Sequence, residues 1–255
     1  MKNIFLTLLA SFGVIYMVGG VLLYIFQSSF IYYPTPAVNH PFSEKTFTHD
    51  GETIRVITLN EGKSKAIVYF GGNGESVAYS AEDFYEKFPG YTVYLVNYRG
   101  YGGSSGRPTQ AGLFSDALAI YDKLKKDHQQ IIAIGRSLGS GVAVYLASQR
   151  EVEKLVLVTP FDSLQSVAQE IYPIFPMSLI LKESYRSTEY AEKVTAKKIL
   201  MLIAREDRII PPEHAYRLAK AFTHTELMIE VIEERGHNTI SYDQRYYSLL
   251  KEFID

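Results

Sequence analysis

Ser137 stands between two glycines in the stretch Gly135-Arg136-Ser137-Leu138-Gly139. A serine hydroxyl is a weak nucleophile until a neighbouring base removes its proton and an acid orients that base. Downstream, His237 lies in "EERGHNT", a turn after an apolar run, where Gly236 lets the backbone bend sharply. Asp207 lies in "REDRIIPP", after the apolar run "KKILMLIA". In this order the three form a proton relay: Asp207 fixes the tautomer of His237, and His237 takes the Ser137 proton and returns it to a leaving group. Glu206 is the competing carboxylate in the same loop, and Asp162 in "TPFDSL" is the reserve acid, with a helix N-cap as its structural alternative. His214 and His224 fall in or beside a predicted helix and read as solvated surface residues. His40, His49 and His128 precede the serine, in linker, turn and helix-end positions.

Attack by a serine on a carbonyl creates an oxyanion, which needs preorganised N–H donors. Leu138, at the start of the helix after the serine, supplies one. The second is expected from the glycine-rich loop "YFGGNGES", with Asn73 as donor and Gly72 as its neighbour.

Such a serine must sit at a cramped bend between a buried strand and a helix, with glycines on both sides because side chains there collide. "QQIIAIG" reads as that strand and "SGVAVYLAS" as that helix. "KTFTHDGETIRVITL" reads as two alternating strands around the Asp50-Gly51 turn. Strands and helices then alternate, with helices expected near 77–88, 112–127, 138–148, 213–222 and 242–253. Leu113, Ala117, Ile120 and Leu124 share one helical face. Short apolar runs flanked by helices imply parallel strands buried on both faces, hence one α/β domain over residues 44–255.

The first segment is a different material. Ile4–Phe26 carries no charge, and about 23 helical residues at 1.5 Å each cover a bilayer core. A cleaved signal peptide would have a shorter apolar region and a small-residue cleavage site. The expected organisation is a single-pass membrane anchor over residues 1–28, a proline-rich linker over 29–43, and the α/β domain. Lys2 is the only charge before the span and Lys45 the first basic residue after it. The positive-inside rule therefore puts the domain on the non-cytoplasmic side. The chain has 255 residues and near-balanced charge, which gives no reason to expect a nucleic acid partner. It has no cysteine, so disulfides, thiolate metal sites and a cysteine nucleophile are excluded. No metal or organic cofactor is implied, since His237 lacks partner histidines at ligand spacing.

Taken together, "FIYYP", "FGGNGES", "NYRGYGGSSGRPT", "GRSLGSG", "TPFDSL", "AREDRIIPP" and "RGHN" make the chain similar, from about Phe30 onward, to the α/β-hydrolases. The resemblance is to their membrane-anchored serine hydrolases, a group with protein depalmitoylases and serine aminopeptidase-like bacterial relatives. It implies an α/β-hydrolase fold with a mostly parallel central sheet and helices on both faces. It also implies the Ser137, Asp207 and His237 roles above, with Asn73 and Leu138 as oxyanion donors. Two positions depart from the family pattern. Gly71 replaces a histidine that supports the loop, which puts loop rigidity in question, and Asn97 replaces an aspartate. Arg99 is expected to tie loops together. Residues 163–190 are long enough for a partial lid. Their apolar cluster Ile171, Tyr172, Ile174, Phe175, Pro176, Met177 and Leu179 is expected either to line an acyl pocket or to pack as a helix on the sheet. The leading functional expectation is an esterase or thioesterase acting on small-molecule, lipidic or acylated esters. The alternatives are a peptidase using the same triad and a non-catalytic, membrane-tethered binding module.

Overall fold

The computed structural model describes residues 2–255. The chain opens with helix α1 (Lys2–Ile31), followed by extended chain and a hairpin of β1 (Ser43–His49) and β2 (Glu52–Leu59). There follow β3 (Lys65–Phe70), α2 (Ala81–Lys87), β4 (Thr92–Val96), α3 (Gln110–Leu124), β5 (Gln130–Arg136), α4 (Leu138–Gln149) and β6 (Lys154–Val158). Three short helices come next, α5 (Leu164–Ile171), α6 (Met177–Ile180) and α7 (Ser187–Ala191). The chain closes with β7 (Lys198–Ala204), α8 (Pro212–Ala219), β8 (Glu226–Ile232) and α9 (Gln244–Ile254).

The eight strands form one sheet in the order β1-β2-β4-β3-β5-β6-β7-β8. β1 pairs antiparallel with β2, and β2 antiparallel with β4; every other pairing is parallel. Asp50 and Gly51 both have positive φ (49° and 76°), the backbone a tight two-residue hairpin requires. The central strands are apolar because both faces are covered. Along β5, Ile131 and Ala133 point into one core, with α3, α4 and α7, while Ile132 and Ile134 point into the other, with α2 and α9. The expected stripe Leu113, Ala117, Ile120 and Leu124 is buried in the first core. β8 departs from expectation. As an edge strand it has one open flank, and Met228 and Ile229 remain 43% and 38% exposed.

α1 runs to Ile31, past the expected anchor boundary at residue 28. Nothing in "QSSFI" breaks a helix, and the first stop is Pro34, which disfavours helical geometry at Tyr33. "FIYYP" then ties the helix to the domain. The Tyr32 hydroxyl donates to Glu183 (2.7 Å) and lies 2.8 Å from the Tyr185 hydroxyl.

Candidate active site

Ser137 follows the last residue of β5 and precedes the first of α4, and its backbone angles are φ 51° and ψ −118°. That region is strained for a residue with a side chain, and it persists only where the surroundings enforce it. Here the Ser137 N–H donates to the Val158 carbonyl at 2.9 Å, and its carbonyl accepts the Ser140 hydroxyl at 2.6 Å. The flanking glycines have no alternative. A Cβ at Gly135 would lie 2.7 Å from the Ala143 Cβ, and one at Gly139 would overlap the Phe70 carbonyl oxygen.

The parallel sheet delivers the other two residues to the same edge, since Asp207 follows β7 and His237 follows β8. His237 Nε2 lies 2.8 Å from Ser137 Oγ, and His237 Nδ1 lies 2.7 Å from Asp207 Oδ2. The other carboxylate oxygen of Asp207 accepts the Ile209 and Ile210 N–H groups at 2.9 and 2.8 Å, so the acid is fixed before the histidine meets it. All three side chains belong to buried residues. Glu206, one residue earlier, is exposed.

The reserve acid is committed elsewhere. Asp162 Oδ1 is 2.7 Å from His214 Nδ1, and its Oδ2 accepts Arg217 Nε at 2.6 Å. Burial works against the Asp162 charge, but the hydrogen bonds from His214, Arg217 and the Ser163 N–H outweigh it and hold the carboxyl below its usual range. The N-cap of α5 is the next residue, Ser163, whose side chain accepts from the Ser166 N–H. His214 itself corrects the sequence reading. It is fully buried on the inner face of α8 with Ala215 and Leu218, where Nδ1 meets Asp162 and Nε2 lies 3.2 Å from Glu170.

The loop after β3 lies beside the serine, with the Cβ direction of Gly72 reaching to 3.5 Å from the Ser137 Cβ. Asn73 lines the same cavity as Ser137 and Leu138. Its side chain makes three hydrogen bonds. Oδ1 accepts the Tyr33 N–H (2.9 Å) and the Tyr101 hydroxyl (2.8 Å), and Nδ2 donates to the Ile31 carbonyl (2.6 Å). Its backbone N–H and one Nδ2 hydrogen make no hydrogen bond within the protein. Gly72 is not available, because its N–H donates to Glu75 at 2.7 Å. Leu138, first residue of α4, carries one of the N–H groups for which a helix has no internal acceptor.

Glu75 went unnoticed in the sequence and organises this loop. Besides holding Gly72, it accepts the Tyr69 hydroxyl at 2.7 Å and lies 3.4 Å from Arg136, which also reaches the His237 carbonyl at 3.4 Å. The only sequence signal was an acid three residues beyond a glycine pair, beside the variable position of the serine motif. Gly71 finds its explanation here as well. Any Cβ there would press to 2.9 Å from Val77, and its carbonyl is held by the Tyr98 hydroxyl at 2.8 Å. These contacts hold the loop in place without a histidine. Arg99 ties its own loop to α3 through Asp116, at 2.6 and 2.8 Å, and to Asp50 at 3.4 Å. For Glu75→Ala we expect kcat to fall about 100-fold with KM little changed, since misplacing a loop by an ångström has that effect. Steady-state kinetics on the folded variant would check this, and an unchanged kcat would remove Glu75 from the machinery.

Above Ser137 opens a cavity of about 370 Å³, within the range of small-molecule sites. α1 contributes Leu23, Gln27, Phe30 and Ile31, and the segment after β6 contributes Ile171, Tyr172, Met177 and Ile180. No charged side chain lines it. The expected lid cluster divides. Ile171, Tyr172 and Met177 face the cavity, whereas Ile174 and Leu179 stay 67% and 80% exposed and Phe175 packs on α1.

The family model described as alpha/beta hydrolase fold matches residues 65–179, from β3 through the serine bend into the lid. The chain has the α/β-hydrolase fold. It is 39% identical over 153 residues to an uncharacterized protein of Mycobacterium tuberculosis, covering 58% of this chain and 54% of the relative. The chain thus spans about half the length of that relative. An uncharacterized membrane protein of Saccharomyces cerevisiae is 27% identical over 206 residues, covering 76% and 72% of the two chains. Among solved structures, an esterase of Pyrococcus furiosus superposes with a TM-score of 0.70 over 88% of this chain and 96% of the esterase, at 18% identity. The β1–β2 hairpin and the antiparallel insertion of β2 beside β4 are the start of the hydrolase sheet, and β3 through β8 its parallel remainder.

Proposed function

We propose that this α/β-hydrolase is a membrane-anchored serine hydrolase that cleaves carboxylic ester or thioester bonds. The observation that supports it most is the continuous Asp207–His237–Ser137 hydrogen-bonded line, at 2.7 and 2.8 Å, ending on a strained serine beneath an uncharged cavity. His237 Nε2 withdraws the Ser137 proton as Oγ attacks the acyl carbon. The oxyanion is received by the backbone N–H groups of Leu138 and Asn73. His237 then protonates the departing alcohol or thiol, leaving an acyl-enzyme. Water, deprotonated by the same imidazole, attacks the acyl-enzyme, and the carboxylic acid leaves with Ser137 restored. Asp207 keeps the Nδ1–H pointed away from the serine throughout and stabilises the transient imidazolium.

The fold shared with the Pyrococcus furiosus esterase agrees with this reading. A peptidase acting on free amino termini would need a carboxylate in the cavity wall, and the wall has none. A fluorophosphonate probe is expected to modify the chain on Ser137, located by mass spectrometry of the labelled peptide. An unlabelled protein would favour a binding module. On acyl esters of increasing length, turnover should rise with chain length, and a strict preference for acetyl would refute the apolar acyl site.

α1 is 30 residues long with a mean hydropathy of 2.2 over its most apolar window, enough to cross a membrane, and it is proposed as the anchor. The single charge at Lys2 orients the N-terminus to the cytoplasm. In sealed vesicles with the cytoplasmic face outward, added protease should leave the hydrolase domain intact, and its digestion would reverse the orientation.

A further inference from the structure

The lid does not merely sit near α1; it grips the helix far along its length. The Tyr16 ring stacks on Phe175, with centroids 5.0 Å apart and planes at 9°, and the Tyr16 hydroxyl donates to the Ile174 carbonyl at 2.8 Å. A Cβ at Gly19 would touch Phe175 at 3.0 Å, so the glycine lets the ring lie flat against the helix. Further along, Gln27 donates to the Ile180 carbonyl (3.2 Å) and accepts the Lys182 N–H (2.6 Å).

Charge sets the depth of this contact. The lid segment Ile171–Leu181 carries no charge and is bounded by Glu170 and Lys182. Lys182 Nζ rests 4.1 Å from the centre of the Tyr24 ring, a lysine–tyrosine pair suited to the headgroup level. Tyr16 lies eight residues before Tyr24, about 12 Å deeper at 1.5 Å per residue. Ile174 and Phe175, held at Tyr16, therefore fall well inside the hydrocarbon of any bilayer that α1 crosses.

Irregular backbone survives in hydrocarbon only where its polar groups are satisfied by protein. Side chains take up five of the lid's backbone polar groups. Gln169 Nε2 donates to the Phe175 carbonyl (3.0 Å) and the Pro173 carbonyl (3.3 Å), while its Oε1 accepts the Met177 N–H (3.0 Å). Tyr16 and Gln27 take the Ile174 and Ile180 carbonyls, and Pro173 and Pro176 have no N–H to satisfy. Ile174 and Leu179 meanwhile turn their apolar side chains outward, away from the domain.

We infer that the lid edge Ile171–Leu181 is immersed in the bilayer beside α1, and that the seam between lid and helix admits acyl chains sideways from the lipid into the cavity. The partner of this surface is the acyl region of a single leaflet. The inference rests on α1 as an anchor, and its second half on the hydrolase reading.

The chain contains no tryptophan, so a single introduced one reports its own depth. Three full-length variants, Ile174→Trp, Phe12→Trp and Lys126→Trp, would be reconstituted in phosphatidylcholine vesicles containing phospholipid brominated on the acyl chains. Ile174→Trp should be quenched as strongly as Phe12→Trp, and Lys126→Trp, on the exposed chain before β5, should not be quenched. Quenching of Phe12→Trp without Ile174→Trp overturns the immersed lid, and quenching of neither overturns the anchor and the inference together. In the second arm, the Ile174→Asp/Leu179→Asp double variant should hydrolyse a long-chain ester embedded in vesicles roughly tenfold more slowly, because a charge in hydrocarbon is costly. Neither residue lines the cavity, so turnover of a short water-soluble ester should be unchanged. An equal rate on the embedded ester overturns sideways access. A wild-type protein that hydrolyses nothing, with Ile174→Trp still quenched, counts against the hydrolase reading and sideways access, and leaves the immersed lid standing.

Discussion

Ser137→Ala is expected to lower kcat about 10⁴- to 10⁶-fold and to abolish fluorophosphonate labelling, with the protein still folded. The expectation follows from the geometry of a single hydroxyl. Ser137 Oγ lies 2.8 Å from His237 Nε2, and the strained bend holds it beside the cavity. Removing the oxygen takes away the covalent step but leaves the Leu138 and Asn73 N–H groups in place, so a small residual rate above background should survive. His237→Ala should cost about as much, and the Ser137→Ala/His237→Ala double variant no more than either alone, because residues acting as one unit are not additive. A double variant that multiplies the two losses would mean that the pair does not work as a relay.

The second large effect is on folding. Gly139→Ala should destabilise the protein by about 3–5 kcal/mol, since the new methyl would overlap the Phe70 carbonyl at the end of β3. Backbone sits on both sides of that contact, so no side chain can swing away to relieve it. The first turn of α4 would have to lift off the sheet, carrying Ser137 and the Leu138 N–H with it. Gly90→Ala is the matched control. No atom lies within 4 Å of its would-be Cβ, so the change should stay within about 1 kcal/mol. Thermal unfolding of both variants in the same detergent would check the pair, and equal midpoints would show that the bend tolerates a side chain.

The contrast between these residues explains what could be read from the chain beforehand. Glycines around Ser137, an acid after one apolar run and a histidine after another are signals of local composition, and a parallel sheet brings the ends of its strands to one edge. Ser137, Asp207 and His237 were therefore nameable and are found together. The alternation of strands and helices was legible for the same reason, because covering a strand on both faces leaves a continuous apolar run. Partnerships across the fold left no such trace. His214 looks like any histidine on an amphipathic helix until Asp162, 52 positions earlier, is seen beside it at 2.7 Å. Glu75 is a loop acid until Gly72 and Arg136 converge on it. Gln27 is a stray amide in an apolar helix until it is found spanning two backbone groups of the lid.

The three hydrogen bonds of the Asn73 amide, to Ile31, Tyr33 and Tyr101, join the tail of the first helix to the loop that would cradle the reacting oxygen. Cutting the chain after that helix to obtain a convenient water-soluble protein would strip one face from the cavity and leave the amide nitrogen without its acceptor. The leading helix is thus a fitted wall of the cavity, and trimmed and intact proteins should be compared as different molecules.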